Sequence, residues 1–387
     1  MIQKKAICAD KIYTPFELWD ESCVLVSEGK IVGIKEQKEV DPSEYDIVNF
    51  KKSIIVPGFI DIHTHGVVGH DSMETDIKIF NTESKFYAKH GVTSFVPTTM
   101  AQSKKDTMLA IKTIREASYL KMAGAKIIGI HLEGPYFNLE KKGAQPGKYI
   151  RDADLDELQD FMKASNNFVV IVSLAPEIEK ALEAIRFLSG RGITISLGHT
   201  NATYEEANRG IDAGATHATH IFNGMRPYHH REPGVVGAVL LDNRVTCEVI
   251  ADLIHLHPRT IELTYKLKGP DRMILVSDSM GATGLNDGNY QLGGEKVIVK
   301  DSVARLENGS LAGSTLTLDK ALRNIVNVVG IPFKDALRMI TYNPTREISL
   351  ERNIGSISIG KMADLVVLDE LLKVKATFIE GKMVFGD

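Results

Sequence analysis

Seven side chains able to bind cations or move protons stand at the ends of apolar runs in this chain. They are His63 and His65 in "GFIDIHTH", Glu133 in "KIIGIHLEGP", His199 in "ITISLGHT", His220 in "ATHATHIFNG", His255 in "TCEVIADLIH" and Asp278 in "RMILVSDSM". Imidazoles and carboxylates are the ligands of zinc and related divalent ions. A carboxylate beside such an ion can serve as a general base. His63 and His65 are two residues apart, so on a strand they share one face. Glu133, His199 and His220 could meet them from other strands. Five prospective ligands and an aspartate exceed one tetrahedral shell, so the set has the capacity for two metal ions. In a chain with 12 histidines, a lone histidine is by default a hydrogen-bonded structural residue. His70, His90, His131 and His217 are read that way. The coincidence of the other groups at strand ends is what argues for a metal site.

The elements that must position these groups follow from periodicity. The runs above, with "TSFVPTT" and "FVVIVSLAPE", make eight short β-rich segments. Runs apolar on both faces read as buried parallel strands. Helical patterns lie between them. In "EIEKALEAIRFLSGRG", Ile178, Ala181, Leu182, Ile185 and Leu188 follow i, i+3, i+4 spacing, and Gly190 and Gly192 supply the stop. "DTMLAIKTIREASYL" and "DLDELQDFMKAS" read alike. Eight strands alternating with helices predict an α/β fold, a (β/α)8 TIM-type barrel with its chemistry at the C-terminal strand ends. The two termini differ. "CVLVSEGKIVGI" and "ATFIEGKMVFG" are both strand, Gly-Lys turn, strand, and "GSISIGKMADLVVLD" reads as a further hairpin-like piece. They predict a small β-sandwich domain built from 1–57 and 354–387, with the metal-dependent barrel, 58–353, inserted between.

The bulk properties narrow the function classes. The 387 residues are 43% hydrophobic and 25% charged, an ordinary globular composition. A net charge of -4 offers no basic footprint for nucleic acid or an anionic membrane. The opening "MIQKKAICADKIYTP" lacks the apolar stretch of a signal peptide, and no window approaches a membrane span. Cys8, Cys23 and Cys247 are far apart and odd in number, so neither a disulfide framework nor a Cys-based zinc site is expected, and a reducing cytoplasm fits.

The motifs "PGFIDIHTHG", "HLEGPY", "LGHT", "THIFNGM", "REPG" and "SDSMGATG" together resemble the amidohydrolase superfamily, and within it the N-acetylglucosamine-6-phosphate deacetylase family. The resemblance covers essentially the whole chain. "HTHG" with a late "SD" is shared by many amidohydrolases, whereas "HLEGP", "THIFNGM" and "REPG" in combination are narrower. The resemblance implies roles residue by residue. Glu133, His199 and His220 match the principal metal ligands. His63 and His65 match a pair that completes a second metal position in some members and is lost in others. Asp278 matches the catalytic carboxylate, and Asn223 and Gly224 the segment that binds the sugar phosphate. Arg231 and His255 match phosphate contacts, with Arg231 reaching across a homodimer interface. The implied reaction is hydrolysis of N-acetyl-D-glucosamine 6-phosphate to D-glucosamine 6-phosphate and acetate, in amino-sugar catabolism or recycling. The implied cofactor is one or two divalent ions per subunit, Zn2+ or Fe2+ first, then Mn2+ or Co2+. One position departs from the pattern. Where many relatives have a histidine after "KKGA", this chain has Gln145, expected to contact substrate.

Two other readings stay open: another amidohydrolase, such as an N-acyl-amino-acid deacylase or cyclic amidase, and a catalytically inactive barrel used for binding. "DSMGATGLNDG" reads as a mobile loop, because its glycines follow no phosphate-binding spacing. "LAGSTLTLDKAL" reads as a turn and helix start that shapes the pocket.

Overall fold

The first strands are written by short runs of β-branched and small apolar residues, four buried in a row in β1 and five in β2. In the computed structural model, which describes residues 4–386, they are β1 (Lys5–Tyr13), β2 (Leu18–Ser27), β3 (Lys30–Glu36) and β4 (Asp46–Pro57). Residues 1–3 and 387, which close the expected terminal-domain bounds, lie outside the described residues. The turn after β1 is closed by Thr14, whose Oγ1 accepts the backbone N–H of Glu17 at 2.9 Å. That turn sets the β1–β2 register and places Cys8 opposite Cys23. The two form a single disulfide, a bond that the sequence reading did not anticipate. Spacing along the chain did not show it, because the pairing is decided by strand register.

The central part alternates strands and helices. It runs β5 (Phe59–Thr64), α1 (Ile79–Lys89), β6 (Val92–Pro97), α2 (Lys104–Ala117), β7 (Lys126–Ile127), β8 (Ile130–Glu133), α3 (Leu155–Ala164), β9 (Val169–Leu174), α4 (Ala181–Ser189) and β10 (Thr194–Leu197). It continues with α5 (Tyr204–Ala213), β11 (His217–Ala218), α6 (Gly234–Leu241), β12 (Thr246–Ile250), α7 (Pro258–Lys268) and β13 (Met273–Val276). All eight apolar runs are strands, the third being broken into β7 and β8. Local chemistry starts the helices. Asp154 accepts two backbone N–H groups at the start of α3, and Thr203 with Glu206 forms a capping box on α5. The pattern beginning at Ile178 becomes helical only at Ala181, because Lys180 holds a left-handed φ of 58°. Strands β8 to β13 form one parallel sheet, and β5 to β7 another. Parallel bridges Thr64–Ser279 and Thr98–His131 link the two. Their inner apolar residues, with those of the helices, make the largest core.

After β13 the chain departs from the simple rhythm. The strands β14 (Gly288–Leu292), β15 (Glu295–Lys300) and β16 (Val303–Leu306) form a separate antiparallel sheet that the sequence reading did not anticipate. They are short and half exposed, so their alternation is weak. The first half of the segment read as a mobile loop is pinned, and residues 284–287 are exposed. Met280 to Thr283 are buried, and the carbonyls of Thr283 and Gly281 accept the N–H groups of Val68 and Gly69. Three helices follow: α8 (Leu318–Asn324), α9 (Phe333–Ile340) and α10 (Tyr342–Glu347). The last strands are β17 (Leu365–Asp369), β18 (Val374–Ile379) and β19 (Lys382–Phe385). They join β1 to β4 in one seven-stranded sheet, ordered β19-β18-β17-β4-β1-β2-β3. The expected hairpin in "GSISIGKMADLVVLD" is one strand only. Its first half instead meets β3, where Gly360 donates to the Ile31 carbonyl at 2.8 Å.

His90, just past α1, is tied to α8 through Asp319, with Nδ1 3.0 Å from Oδ1, and Arg323 adds a second contact at 2.9 Å. Burial alone would raise the Asp319 carboxyl, but His90 and Arg323 outweigh it and hold it well below its ordinary value of 3.8. A depressed carboxylate stabilises the fold above about pH 4, and that contribution fades as pH falls. Asp319→Asn should therefore cost about 2 kcal/mol at neutral pH. In melting experiments the gap to the parent should narrow from pH 6 toward pH 3. A gap independent of pH would contradict this account.

Candidate metal centre

The strand ends converge. His63 and His65 lie at the end of β5 and just beyond it, and Glu133 ends β8. His199, His220 and Asp278 come two residues after β10, β11 and β13. Those last three share a backbone feature, φ of 46°, 27° and 48°. Non-glycine residues in the left-handed region cost about 1–3 kcal/mol each and cluster at functional sites. Here the reversal turns each side chain inward instead of letting it follow the departing loop. Gly224 makes room for this, because a Cβ at that position would stand 2.8 Å from His199 Nδ1.

Glu133 is the hub. Its Oε1 lies 3.2 Å from Nε2 of His199, 3.2 Å from Nε2 of His220 and 3.5 Å from Nε2 of His63. Its Oε2 lies 3.3 Å from His65 Nε2. Asp278 Oδ1 stands 3.5 and 3.3 Å from the same atoms of His63 and His65. Two groups of potential ligand atoms thus share Glu133, namely His63, His65 and Glu133, and Glu133, His199 and His220, each within 4.8 Å. The outer ring nitrogens fix which atom faces inward. Nδ1 of His65 donates to the Thr98 carbonyl at 3.2 Å, and Nδ1 of His199 to the Lys141 carbonyl at 2.9 Å. His63 Nδ1 donates to Glu248 at 2.8 Å, and its Nε2 is buried with no hydrogen-bond partner. Inward lone pairs with anchored outer nitrogens are what metal-ligating histidines need, so His63, His65 and His199 fit a divalent cation; the outer Nδ1 of His220 is buried without a hydrogen-bond partner, and its position is held through its backbone N–H on Glu248.

Electrostatics agree. Burial pushes His63 toward neutrality, but Glu248, Glu133 and Asp278 outweigh it and lift it to about 9. His65 and His220 are raised in the same way. Burial would raise Glu133, yet the rings around it hold it well below its ordinary value, and Asp278 is also lowered. The carboxylates demand positive charge, which protons or a cation can supply.

A cavity of about 340 Å3 opens over this cluster. His65, Glu133, His199, His220 and Asp278 line it, with Gln145, Asn223, Gly224 and His255. Gly313 and Leu311, from the segment read as pocket-shaping, also line it. Asn223 turns its Nδ2 to the carbonyls of His220 and Ile221. Gln145, expected at the substrate, has a second engagement. Its Oε1 accepts Ala101 N–H at 2.7 Å, and its Nε2 donates to Glu133 Oε2 at 2.6 Å. Arg231 is not part of this cavity. It is exposed and contacts His230 at 2.8 Å. His131 is structural as expected, bound to the Ile62 carbonyl and to Ser173. The residue that sequence reasoning missed is Glu248, mid-strand in "TCEVI", whose partners His63 and His217 are remote in sequence. Its one visible signal is a carboxylate inside an otherwise buried run.

A histidine with a raised pKa stabilises the fold below about pH 6.5, and that stability is lost as pH climbs through its folded value, about 9 for His63. A cation must displace those protons. Adding Zn2+ to metal-free protein near neutral pH should release about one proton or more per chain, read by titration calorimetry in buffers of different ionisation enthalpy. Binding should weaken as pH falls. Binding without proton release would refute the charge balance described.

Comparison with known proteins places the chain. The family model described as the amidohydrolase family matches residues 54–384. An N-acetylglucosamine-6-phosphate deacetylase of Vibrio furnissii is 40% identical over 331 residues, 86% of this chain and 83% of that one. An N-acetylgalactosamine-6-phosphate deacetylase of Escherichia coli O157:H7 is 36% identical, over 94% of this chain and 95% of that one. The solved N-acetyl-D-glucosamine-6-phosphate deacetylase of Mycobacterium smegmatis, an aspartate-to-alanine mutant in complex with N-acetyl-D-glucosamine-6-phosphate, matches with a TM-score of 0.93 at 33% identity, covering 99% of each chain. Sequence relatives and shape agree with the clustered strand-end ligands: the chain belongs to the amidohydrolase family, in its branch of N-acetylglucosamine-6-phosphate deacetylases.

Proposed function

We propose that this chain hydrolyses N-acetyl-D-glucosamine 6-phosphate to D-glucosamine 6-phosphate and acetate, in amino-sugar catabolism or recycling. The observation that carries the reading is the meeting of Asp278 with Glu133 and the rings of His65, His199 and His220 in the lining of one cavity, with the buried His63 ring behind them. Glu133, His199 and His220 would hold one divalent ion, and His63 and His65 with Glu133 a second. Zn2+ or Fe2+ suits these donors first, then Mn2+ or Co2+. Such an ion lowers the pKa of a bound water and polarises the acetamide carbonyl.

The chain's own residues do the rest. Asp278, held deprotonated by the rings around it, takes the proton of the attacking water and passes it to the amine nitrogen as the C–N bond breaks. Gln145 keeps one amide N–H on Glu133, which leaves its other N–H for the substrate carbonyl. Asn223, Gly224 and His255 line the cavity and would hold the sugar phosphate, so that binding energy away from the reacting bond positions the amide. Arg231, exposed on its own chain, would complete the phosphate site of a partner subunit in a homodimer. The scaffold reads as a closed (β/α)8 barrel over 58–353, supported by the Thr64–Ser279 and Thr98–His131 bridges. A small β-domain from 1–57 and 354–387 is supported by the single sheet that combines strands of both termini. A phosphorylated sugar is retained by its charge behind a membrane, which favours the cytoplasm, although the Cys8–Cys23 bond is uncommon there.

The galactosamine epimer is the second reading, favoured by the 36% identity to the N-acetylgalactosamine-6-phosphate enzyme. Acetate release from both sugar phosphates, with chelated and metal-restored protein side by side, tests the assignment. Activity that is lost on chelation, regained with metal and greater on the glucosamine compound is expected. No acetate from either sugar would end the proposal. Asp278→Asn should lower kcat by about 10^2- to 10^4-fold with a small change in KM. Arg231→Ala should impair phosphorylated substrate far more than an unphosphorylated analogue, and equal losses would point to a different amidohydrolase activity.

A further inference from the structure

We propose that Glu248 is a positioning residue that makes the His63 side of the metal centre competent and couples it to the His220 side. The inference rests on the metal-dependent reading above and deepens it. Glu248 lies in the middle of β12, is fully buried and does not line the cavity. Every contact it makes is directed. Oε2 accepts Nδ1–H of His63 at 2.8 Å and the backbone N–H of His220 at 3.0 Å. Oε1 stands 3.0 Å from Nε2 of His217, whose Nδ1 is 3.2 Å from Glu347 Oε1 at the end of α10.

One oxygen therefore serves two ligands in different ways. At His63 it anchors the outer nitrogen, which leaves Nε2 as the inward lone pair. At His220 it holds the backbone of a residue in a strained conformation, φ 27°. His63 is distinct in having a carboxylate behind its ring. His65 and His199 lean on the carbonyls of Thr98 and Lys141. A carboxylate behind a ligating imidazole raises its basicity more than a neutral carbonyl does, and losing such a partner typically weakens metal binding about 10- to 100-fold. Glu248, His63 and His131 also lie within 4.8 Å of one another, but they are no additional cation site. His131 donates through Nδ1 to the Ile62 carbonyl and accepts from Ser173 at Nε2, so it has no lone pair to offer.

Glu248→Gln is the discriminating variant. A glutamine can keep its oxygen toward His63 and His220 while its amide faces Nε2 of His217, which then gives up its proton and accepts, with Nδ1–H on Glu347; the variant removes the charge and reverses that one hydrogen bond. Metal-free parent and variant would be reconstituted with Zn2+ and with Co2+. Ions per chain, affinity by chelator competition and the Co2+ visible spectrum would then be measured. The expected result is two ions in the parent, and in the variant one tight ion with the second bound about 10- to 100-fold more weakly and an altered Co2+ spectrum. Equal counts, affinities and spectra overturn the inference and leave the deacetylase reading standing. One ion in the parent at saturating metal also overturns it, while failure of acetate release by the parent bears on the reading alone. If the variant does not fold, nitrogen-15 histidine spectra of the metal-loaded parent decide: a protonated Nδ1 on His63 is expected, and a deprotonated one refutes the role.

Discussion

Everything at the centre of this molecule answers to one buried carboxylate. Glu133 is almost wholly removed from water and stands within 3.5 Å of four imidazoles. An isolated charge in such a place is strongly unfavourable, so the surroundings must supply compensating charge and hydrogen bonds. Both of its oxygens are used. One faces the His199, His220 and His63 rings, and the other faces His65 and Gln145. This division lets one residue belong to two ligand groups.

Holding that arrangement requires the strand ends to be rigid and the side chains to leave them at unusual angles. The parallel sheets supply the rigidity through residues apolar on both faces. The angle comes from the left-handed backbone at His199, His220 and Asp278, conformations that persist only where surrounding contacts determine them. Those contacts are on hand. Asp278 N–H donates to the His63 carbonyl, His220 N–H to Glu248, and Gly224 leaves open the space that the His199 ring fills. The strain and the compensation sit on different strands, which ties the chemistry to how those strands are placed side by side.

Further support comes from the distal segments. The sheet β14 to β16 packs Leu292 against Met100 near the cavity mouth, and the Met280–Thr283 segment is fastened to the loop after β5. Walls assembled from parts so far apart in the chain make the cavity sensitive to the global fold as well as to its ligands.

Much of this was legible in residue order. The i, i+2 spacing of His63 and His65 follows from the two-residue period of a strand, and the apolar runs located all eight strands, because both signals are local. The grouping of Glu133, His199 and His220, which places them where they could hold a metal ion, was legible for the same reason, as polar residues at the ends of apolar runs. What the sequence could not decide were contacts across long separations. Glu248 lies 185 residues from His63, and no local pattern distinguishes a carboxylate that anchors a ligand from one that is merely tolerated. The turn of Gln145 onto Glu133, the register that joins Cys8 to Cys23 and the position of Arg231 outside its own cavity belong to the same class. The sequence by itself determined residue types, periodicities and the strand ends where chemistry could occur. Tertiary structure alone decided which of those groups touch, because such contacts depend on how distant strands pack and in what register.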